Sequence, residues 1–425
     1  MNYKETIKYI EYTENQKRQT NNSRMKSLMA GLGNPQDKLA FIHVGGTNGK
    51  GSCVSSLSSI LKEANYKVGT YTSPHLIKYE ERIAVNGSCI SQKDFIKYAS
   101  IIKEKANKLN LKPTVFEKLT AIAFMYFNDK KCDVVVLEVG LGGRLDATNI
   151  IKKPILSILM NIGLEHTEVL GDTIEKIAKE KAGIIKSNSD VICYKSNPKA
   201  LKVFREAAKE KKSNIYVIKN SDIKIKKEGI KAQVFDYKDI KNIKLNLLGK
   251  HQFYNGAVIV EACLLLNKKG YHISTKNIKD GLLNTTWDAR LSILNKEPLF
   301  ILDGAHNPQC ANALKDSLPK ILGKKKAIIL CGMLKDKDYK STMKMLIPFA
   351  KEFVCITPDS YRALKADDLK EYLISKKQIA TSAKSINGGI KLSLSKAKKN
   401  DVIIALGSLY LAGTIKEIFD KKRFS

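Results

Sequence analysis

Four glycines in the stretch HVGGTNGKGS (residues 43–52), at 45, 46, 49 and 51, leave backbone N–H groups unobstructed by side chains. Such a loop can bring those donors, together with the amine of Lys50, against the oxygens of a phosphate, with the hydroxyls of Thr47 and Ser52 beside them. The usual Walker A pattern sets Ser or Thr directly after the lysine, whereas here Gly51 intervenes and the hydroxyl arrives at Ser52. Thr47, Asn48, Gly49, Lys50, Gly51 and Ser52 are therefore candidates to hold a nucleotide, with an ordinary glycine-rich turn as the alternative. In VVVLEVGLGGRLDATN (134–149), Glu138 closes an apolar run, where a carboxylate can hold Mg²⁺ on a nucleotide as a Walker B acid does; the competing reading is a surface glutamate. His166, in NIGLEHTEVLGDT, follows a second apolar run and taken alone is as open to a structural role as to metal ligation. Spacing alone makes Lys181, in AKEKAGIIK, a solvated or salt-bridged helix lysine, and Ser73, in YTSPHL, a turn residue before proline.

These residues need a sheet edge to bring them together. FIHV (41–44) has the apolar continuity of a buried strand, and Val54, Leu57, Ile60, Leu61 and Ala64 recur at helical spacing after the loop. KVGTYTSP then reads as a strand, which completes a strand, loop, helix, strand unit. The rhythm continues with a helix over 112–131, strands in CDVVVLEVG and PILSILMNIG, a helix in IEKIAKEKAGIIK and a strand in DVICY. Alternation of this kind predicts an α/β fold with a mostly parallel sheet, whose ligands gather at the carboxyl ends of its strands. The polar stretch 214–248 predicts a small antiparallel sheet. From LFILDGAHNP onward a second α/β pattern predicts strands at 299–303, 327–331, 353–357 and 401–406. The expected organisation is a P-loop ATPase domain over 1–286 and a smaller Rossmann-like α/β domain over 287–425, divided where helical periodicity breaks in NTTWDARLS.

Composition narrows the function classes. With 425 residues the chain can bury two cores. It has no apolar run long enough for a membrane span and no secretory signal at its polar N-terminus, and its eight cysteines are scattered without zinc-finger spacing, so a cytoplasmic location is expected. The net charge of +32 invites a polyanion partner, but the excess is lysine spread through every segment, with no arginine-rich arm or recognition motif. Nucleic acid and membrane are therefore not expected as partners.

Taken together, HVGGTNGKGS, YTSPHLIKYEERIAVNG, TVFEKLTAIAF, LEVGLGGRLDATN, IGLEHTEVLGDT, EKAGIIK, GKHQFYN, LDGAHNP, GMLKDKD and GSLYLAG resemble, in this order, the folylpolyglutamate synthase and dihydrofolate synthase family, relatives of the muramyl peptide ligases. In that family the loop reads GTNGKGS or GTNGKGT, so Gly51 is expected. The resemblance implies that Ser73, Glu138 and His166 coordinate magnesium and that Lys181 carries a carbamate able to bind a metal. It also implies that Asn255, Arg290 and Asp303 hold ATP, that Thr114, Leu145, Asp146 and Ala147 line a pterin pocket, and that His306 and Ser408 grip glutamate. Three departures stand out. Glu165 replaces the usual Asp before the histidine, Asp288 and Ala289 replace Pro-Gly before the arginine, and Gly256 replaces Ala after Asn255.

The implied reaction is ATP-dependent addition of L-glutamate to folate, or to dihydropteroate, through an acyl phosphate, by an enzyme that is commonly monomeric. A muramyl peptide ligase would be expected to carry a nucleotide-sugar domain before the loop, where only about 40 residues stand. A nucleotide-gated P-loop ATPase or binding protein acting on another anionic partner is the alternative from a different class.

Overall fold

The structure, a computed structural model, describes residues 1–13, 21–195 and 197–422. The chain divides into two compact units: Met1–Lys224 with Asp236–Ile243 and Tyr254–Thr285, and Ile225–Phe235 with Lys244–Phe253 and Thr286–Ser425.

The first unit is built on strands β1 (Phe41–Gly45), β2 (Val68–Tyr71), β3 (Ile83–Val85), β4 (Ser88–Cys89), β5 (Val134–Glu138), β6 (Leu156–Leu159), β7 (Asp190–Cys193) and β8 (Asn214–Val217). They pair in the order β4-β3-β2-β5-β1-β6-β7-β8. All contacts are parallel except the two made by the β3 edge, β2 with β3 and β3 with β4. β1 and β5 are buried along their whole length, which is why both are continuous apolar runs rather than alternating ones. In register, Val44 lies opposite Glu138 and Gly45 opposite Leu159, so the ends of β5 and β6 flank the glycine loop that leaves β1.

Helix Lys50–Glu63 turns Cys53, Val54, Leu57, Ile60 and Leu61 into the core. Helix Val115–Asp129 starts at Thr114, whose hydroxyl accepts the Glu117 N–H while the Glu117 carboxylate accepts the Thr114 N–H, a capping box that fixes where the helix begins. It packs in a cluster with Phe41, Tyr71 and Leu137. Helix Ile174–Ala182 lies in another cluster, with Val139, Leu159 and Ile184.

Three further strands, β9 (Ile223–Lys227), β10 (Gln233–Tyr237) and β11 (Ile240–Leu245), form a small sheet of their own in the order β11-β10-β9. The expected small sheet is thus present, but it begins later than the polar composition suggested. Asn214–Val217 instead extends the large sheet as a parallel partner of β7.

The second unit carries β12 (Ser292–Lys296), β13 (Leu299–Leu302), β14 (Ala327–Cys331), β15 (Ala350–Cys355), β16 (Ala380–Ser382) and β17 (Val402–Leu406), in the order β12-β13-β17-β14-β15-β16. Only the β12 pairing is antiparallel. The four expected strands are present, and β12 and β16 are added at the two edges, where partial exposure leaves no apolar run to read. The α/β class with mostly parallel sheets is thus observed in both units. Among the described residues no helix is long and apolar enough to cross a membrane.

Candidate active site

The glycine loop is held in shape from its far side. The Thr47 N–H donates to the Asn161 carbonyl at 2.8 Å, the Asn48 N–H reaches the same oxygen at 3.4 Å, and the Thr47 hydroxyl pairs with both the carbonyl and the N–H of Gly163 at 3.2 Å. Thr47 is therefore a brace between the loop and the segment leaving β6. Gly46 takes φ +143°, and a Cβ there would stand 2.7 Å from Met160 Cβ. Gly49, at φ +87°, caps the helix, and Asn255 Oδ1 lies 3.0 Å from where its Cβ would be, so Asn255, 4% exposed, does meet the loop. Gly51 and Ser52 follow in the first helical turn, whose N–H groups have no acceptor within the helix.

Two lysines converge on one carbonyl. Lys50 Nζ donates to Gly46 O at 3.0 Å and Thr47 O at 3.1 Å, and Lys181 Nζ donates to the same Gly46 oxygen at 2.8 Å. Lys181 is 3% exposed. Burial, then the neighbouring Lys50 charge, lower its amine from the ordinary lysine value to about 7. The bland expectation of a solvated Lys181 is overturned because its helix packs without clearance on the glycines of LGGR. A Cβ on Gly143 would meet Glu180 O at 2.8 Å, and one on Gly183 would meet Arg144 Cα at 2.4 Å.

Glu138 is 3% exposed, and its Oε2 accepts the Ser73 N–H at 3.1 Å, so these two proposed ligands are neighbours. His166 takes a left-handed φ of 49° at the start of the short helix Thr167–Leu170. Its side chain is half exposed, with Nε2 3.6 Å from Glu165 Oε1. Glu165 also acts on Lys181, opposing the fall of its pKa.

Of the proposed pterin residues, Thr114 is the helix cap already described. Asp146 is buried and fully engaged: Oδ1 accepts from the Thr148 N–H (3.0 Å) and hydroxyl (2.5 Å), and Oδ2 from the Leu141 N–H (2.9 Å). Its carboxylate shapes the loop that presents Leu145 and Ala147. Sequence reasoning missed the partners behind these residues. His43, 0% exposed, bonds through Nε2 to Thr148 Oγ1 at 2.8 Å, and Arg24 Nε pairs with Glu117 at 2.7 Å. Asn22 Nδ2 donates to the Asp146 carbonyl at 3.1 Å. The Thr114 and Glu117 spacing was a readable signal. The long-range partners left none.

In the second unit, Asp303 follows β13 and its two carboxylate oxygens accept the N–H groups of Leu291 (2.9 Å) and Ala305 (2.8 Å). Desolvation pushes its pKa up, against the nearby Arg290 charge. Arg290 Nη1 donates to Ala289 O at 2.9 Å and lies 2.7 Å from where a Cβ on Gly304 would stand, which brings Arg290 to the DGAH turn. Ala289, at the glycine position of the family pattern, holds φ +56°, a conformation that glycine adopts without strain. His306 Nδ1 bonds to Gly304 O at 2.8 Å. Ser408 is 1% exposed, and its hydroxyl accepts the Leu411 N–H at 3.1 Å as a helix cap.

Comparison with known proteins matches the sequence to two successive domains: the Mur ligase middle domain over residues 44–263 and the Mur ligase, glutamate ligase domain over residues 289–409. The chain is 36% identical over 406 residues to the dihydrofolate synthase/folylpolyglutamate synthase of Bacillus subtilis, covering 93% of this chain and 94% of that one. It is 31% identical to the folylpolyglutamate synthase of Lacticaseibacillus casei, covering 98% of each. Among solved structures, the apo form of L. casei FPGS superposes with a TM-score of 0.87 at 30% identity, over 98% of this chain and 99% of that one. E. coli FolC in complex with DHPP and ADP gives 0.88 at 29% identity, over 100% and 99%. The FPGS-AMPPCP-folate complex gives 0.85 at 31%, over 98% and 99%.

Proposed function

The chain belongs to the folylpolyglutamate synthase and dihydrofolate synthase family of Mur ligases, and from that premise we propose how its own residues carry the reaction and which substrates they receive. It is an ATP-dependent ligase of folate metabolism that joins L-glutamate to a folate acid. A relative's complexes with AMPPCP and folate, and another's with DHPP and ADP, support both folate and dihydropteroate as acceptors here.

A carboxylate and an amine do not condense in neutral water, because the carboxylate is a poor electrophile with a poor leaving group. Transfer of the γ-phosphoryl group to the folate carboxylate gives an acyl phosphate and ADP. The neutral amine of glutamate then attacks that carbonyl, loses a proton and expels phosphate. The first step brings two anions together, so positive charge must stand ready where negative charge collects. The observation that carries this assignment is the pair of amines, Lys50 and Lys181, on the carbonyl of Gly46, beside the end of β5 that bears Glu138. With a nucleotide present, Lys50 would exchange its loop carbonyls for phosphate oxygens, assisted by the helix N-terminus.

Mg²⁺, when bound, neutralises phosphate charge. The donor chemistry fits: Glu138 offers a buried carboxylate next to Ser73, and Mg²⁺ habitually takes one or two carboxylates and draws its other ligands from phosphate and water. Among the described residues no three His, Cys, Asp or Glu side chains cluster so as to hold a metal by themselves. A carbamate on Lys181, formed when its neutral amine adds CO₂ and releases a proton, would supply a further anionic oxygen beside the glycine loop. Burial of Lys181 against the loop supports that modification. Thr114 and the Leu145–Ala147 turn would line the acceptor site. Asn255, Arg290 and Asp303 would bind ATP, and His306 and Ser408 would bind glutamate. Free cysteines support a cytoplasmic setting, and the family resemblance supports a monomer.

The test is incorporation of labelled L-glutamate in the presence of ATP, run in parallel with dihydropteroate and with tetrahydrofolate. Product with at least one acceptor, and ADP release that requires acceptor and glutamate together, are expected. ATP hydrolysis indifferent to both, or stimulated by nucleic acid, would overturn the reading.

A further inference from the structure

Ser73 meets Glu138 from the loop 72–82, which joins β2 to β3. The Thr72 N–H donates to Arg82 O at 2.9 Å and closes the neck of that loop. Its path is not set by a core of its own. Pro74, Ile77 and Lys78 are exposed, and Ser73, His75, Leu76 and Tyr79 are only half-buried. Polar contacts must therefore hold it, because little apolar surface is removed from water there.

One side chain supplies most of them. Glu81 Oε2 accepts the Leu76 N–H at 2.7 Å, and Oε1 accepts the Lys78 N–H at 2.8 Å. The Ile77 N–H lies between the two oxygens, at 3.0 and 3.2 Å. Three successive backbone N–H groups thus turn inward on a single carboxylate, an arrangement that favours negative charge and makes strong, charge-assisted bonds. The Glu81 N–H donates in return to Lys78 O at 3.1 Å. Beside this turn, Arg82 Nε donates to His75 Nδ1 at 2.9 Å, and the Tyr3 hydroxyl donates to Glu80 Oε2 at 3.1 Å.

Only Ser73, Pro74 and His75 stand between the closed neck and the first of the three held amides, so the place of Ser73 is fixed from both ends. Its N–H donates to Glu138 Oε2 at 3.1 Å and so orients a carboxylate that closes β5 next to the glycine loop. We propose that Glu81 is a positioning residue for the reaction: its charge folds the loop 72–82 and thereby sets the Ser73 N–H that aims Glu138. The inference rests on the ligase reading above and adds to it a residue outside the assigned set.

The test compares wild type, Glu81→Gln and Glu81→Ala in glutamate incorporation and in amide exchange of residues 73–82. Glu81→Gln keeps the shape of the side chain but must turn a donor onto either the Leu76 or the Lys78 N–H, so a role in packing alone would survive it and a role of the charge would not. Misplacement of Glu138 is expected to lower kcat in both variants by roughly 10- to 100-fold, with KM for L-glutamate unchanged. Acetate, the fragment that Glu81→Ala removes, should restore part of that variant's turnover, and chloride at equal ionic strength should not. The amides of Leu76, Ile77 and Lys78 should exchange on the order of tenfold faster in both variants than in wild type. If Glu81→Ala does not fold, Glu81→Gln carries the comparison. Wild-type turnover in Glu81→Gln, a loss in Glu81→Ala that acetate leaves untouched or chloride restores equally, or unchanged exchange at 76–78 overturns the proposal. Exchange needs no turnover. An inactive wild type would therefore strike the ligase reading, while the exchange rates still decide whether Glu81 holds the loop.

Discussion

Lys181 shows how burial changes what a residue can do. Its amine is pressed against a carbonyl, a few ångströms from a second lysine, and at neutral pH a substantial fraction of it is uncharged. Lys181→Ala is expected to abolish most glutamate incorporation, and added acetate, as a detached carboxylate, to restore part of it; indifference to the substitution, or loss that acetate leaves untouched, would argue against a carbamate. His43 makes a different point. Thr148 gives its hydroxyl proton to Asp146, so His43 must donate through Nε2, which leaves Nδ1 as a buried acceptor with no partner among the described residues. Burial, helped by the Lys186 charge, lowers the imidazole to about 3. The unfolded chain, at the ordinary histidine value, therefore binds more protons than the folded one between that value and about 3. The stability that depends on a neutral His43 is complete above pH 6.5 and is lost progressively below it, by about 2 kcal/mol between pH 7 and pH 5. Denaturant titrations at those two pH values should show a smaller loss for His43→Asn than for wild type. The candidate site residues could be named from the sequence, but their partners could not. Thr47 and Asp146 have the composition of ligands, and their atoms are engaged by Gly163 and Thr148, contacts between residues far apart in the chain for Thr47 and two apart for Asp146.

At the scale of elements, the glycines of LEVGLGGR and EKAG are a packing device. Helix Ile174–Ala182 can bring Lys181 to Gly46 only if Gly143 and Gly183 have no side chains. Gly183→Ala, whose added carbon would meet Arg144 backbone at 2.4 Å, is expected to cost about 1–3 kcal/mol, read as a lowered denaturation midpoint, and to reduce turnover as the helix is pushed away. A variant as stable and as active as wild type would show that the loop can yield. Helices and central strands were legible because their periodicity or apolar continuity reports burial directly, as in FIHV and VVVL. Edge strands were not: Ser292–Lys296 and Ala380–Ser382 are only partly buried, so nothing in their composition separates them from loops. The stretch 214–217 was placed in the wrong sheet for a related reason, since its exposed and half-buried residues do not say which neighbour they pair with.

For the whole molecule, the excess of positive charge tells little about a partner. Lysines are spread along the length of the chain, and the groups that distinguish the protein are a few buried ones. What the sequence did carry at this scale was the order of motifs, and with it the expectation of two α/β sheets in succession. How the motifs of the first unit come to one edge of its sheet is a property of strand order, because β5 and β6, distant from β1 in the chain, are its immediate neighbours. That placement has a consequence for motion. The glycine loop, Glu138 and the turn bearing His166 lie at the ends of three adjacent inner strands of an eight-stranded sheet, each buried along its length. Such strands lose their amide protection only when the surrounding structure opens as a body. In deuterium exchange the amides of Phe41–Gly45, Val134–Glu138 and Leu156–Leu159 should be among the last to label, and rapid labelling of any of the three would contradict this. Warming should then leave the ends of these strands and the glycine loop in place until the whole first unit melts, with no intermediate range in which the protein stays folded but no longer binds nucleotide.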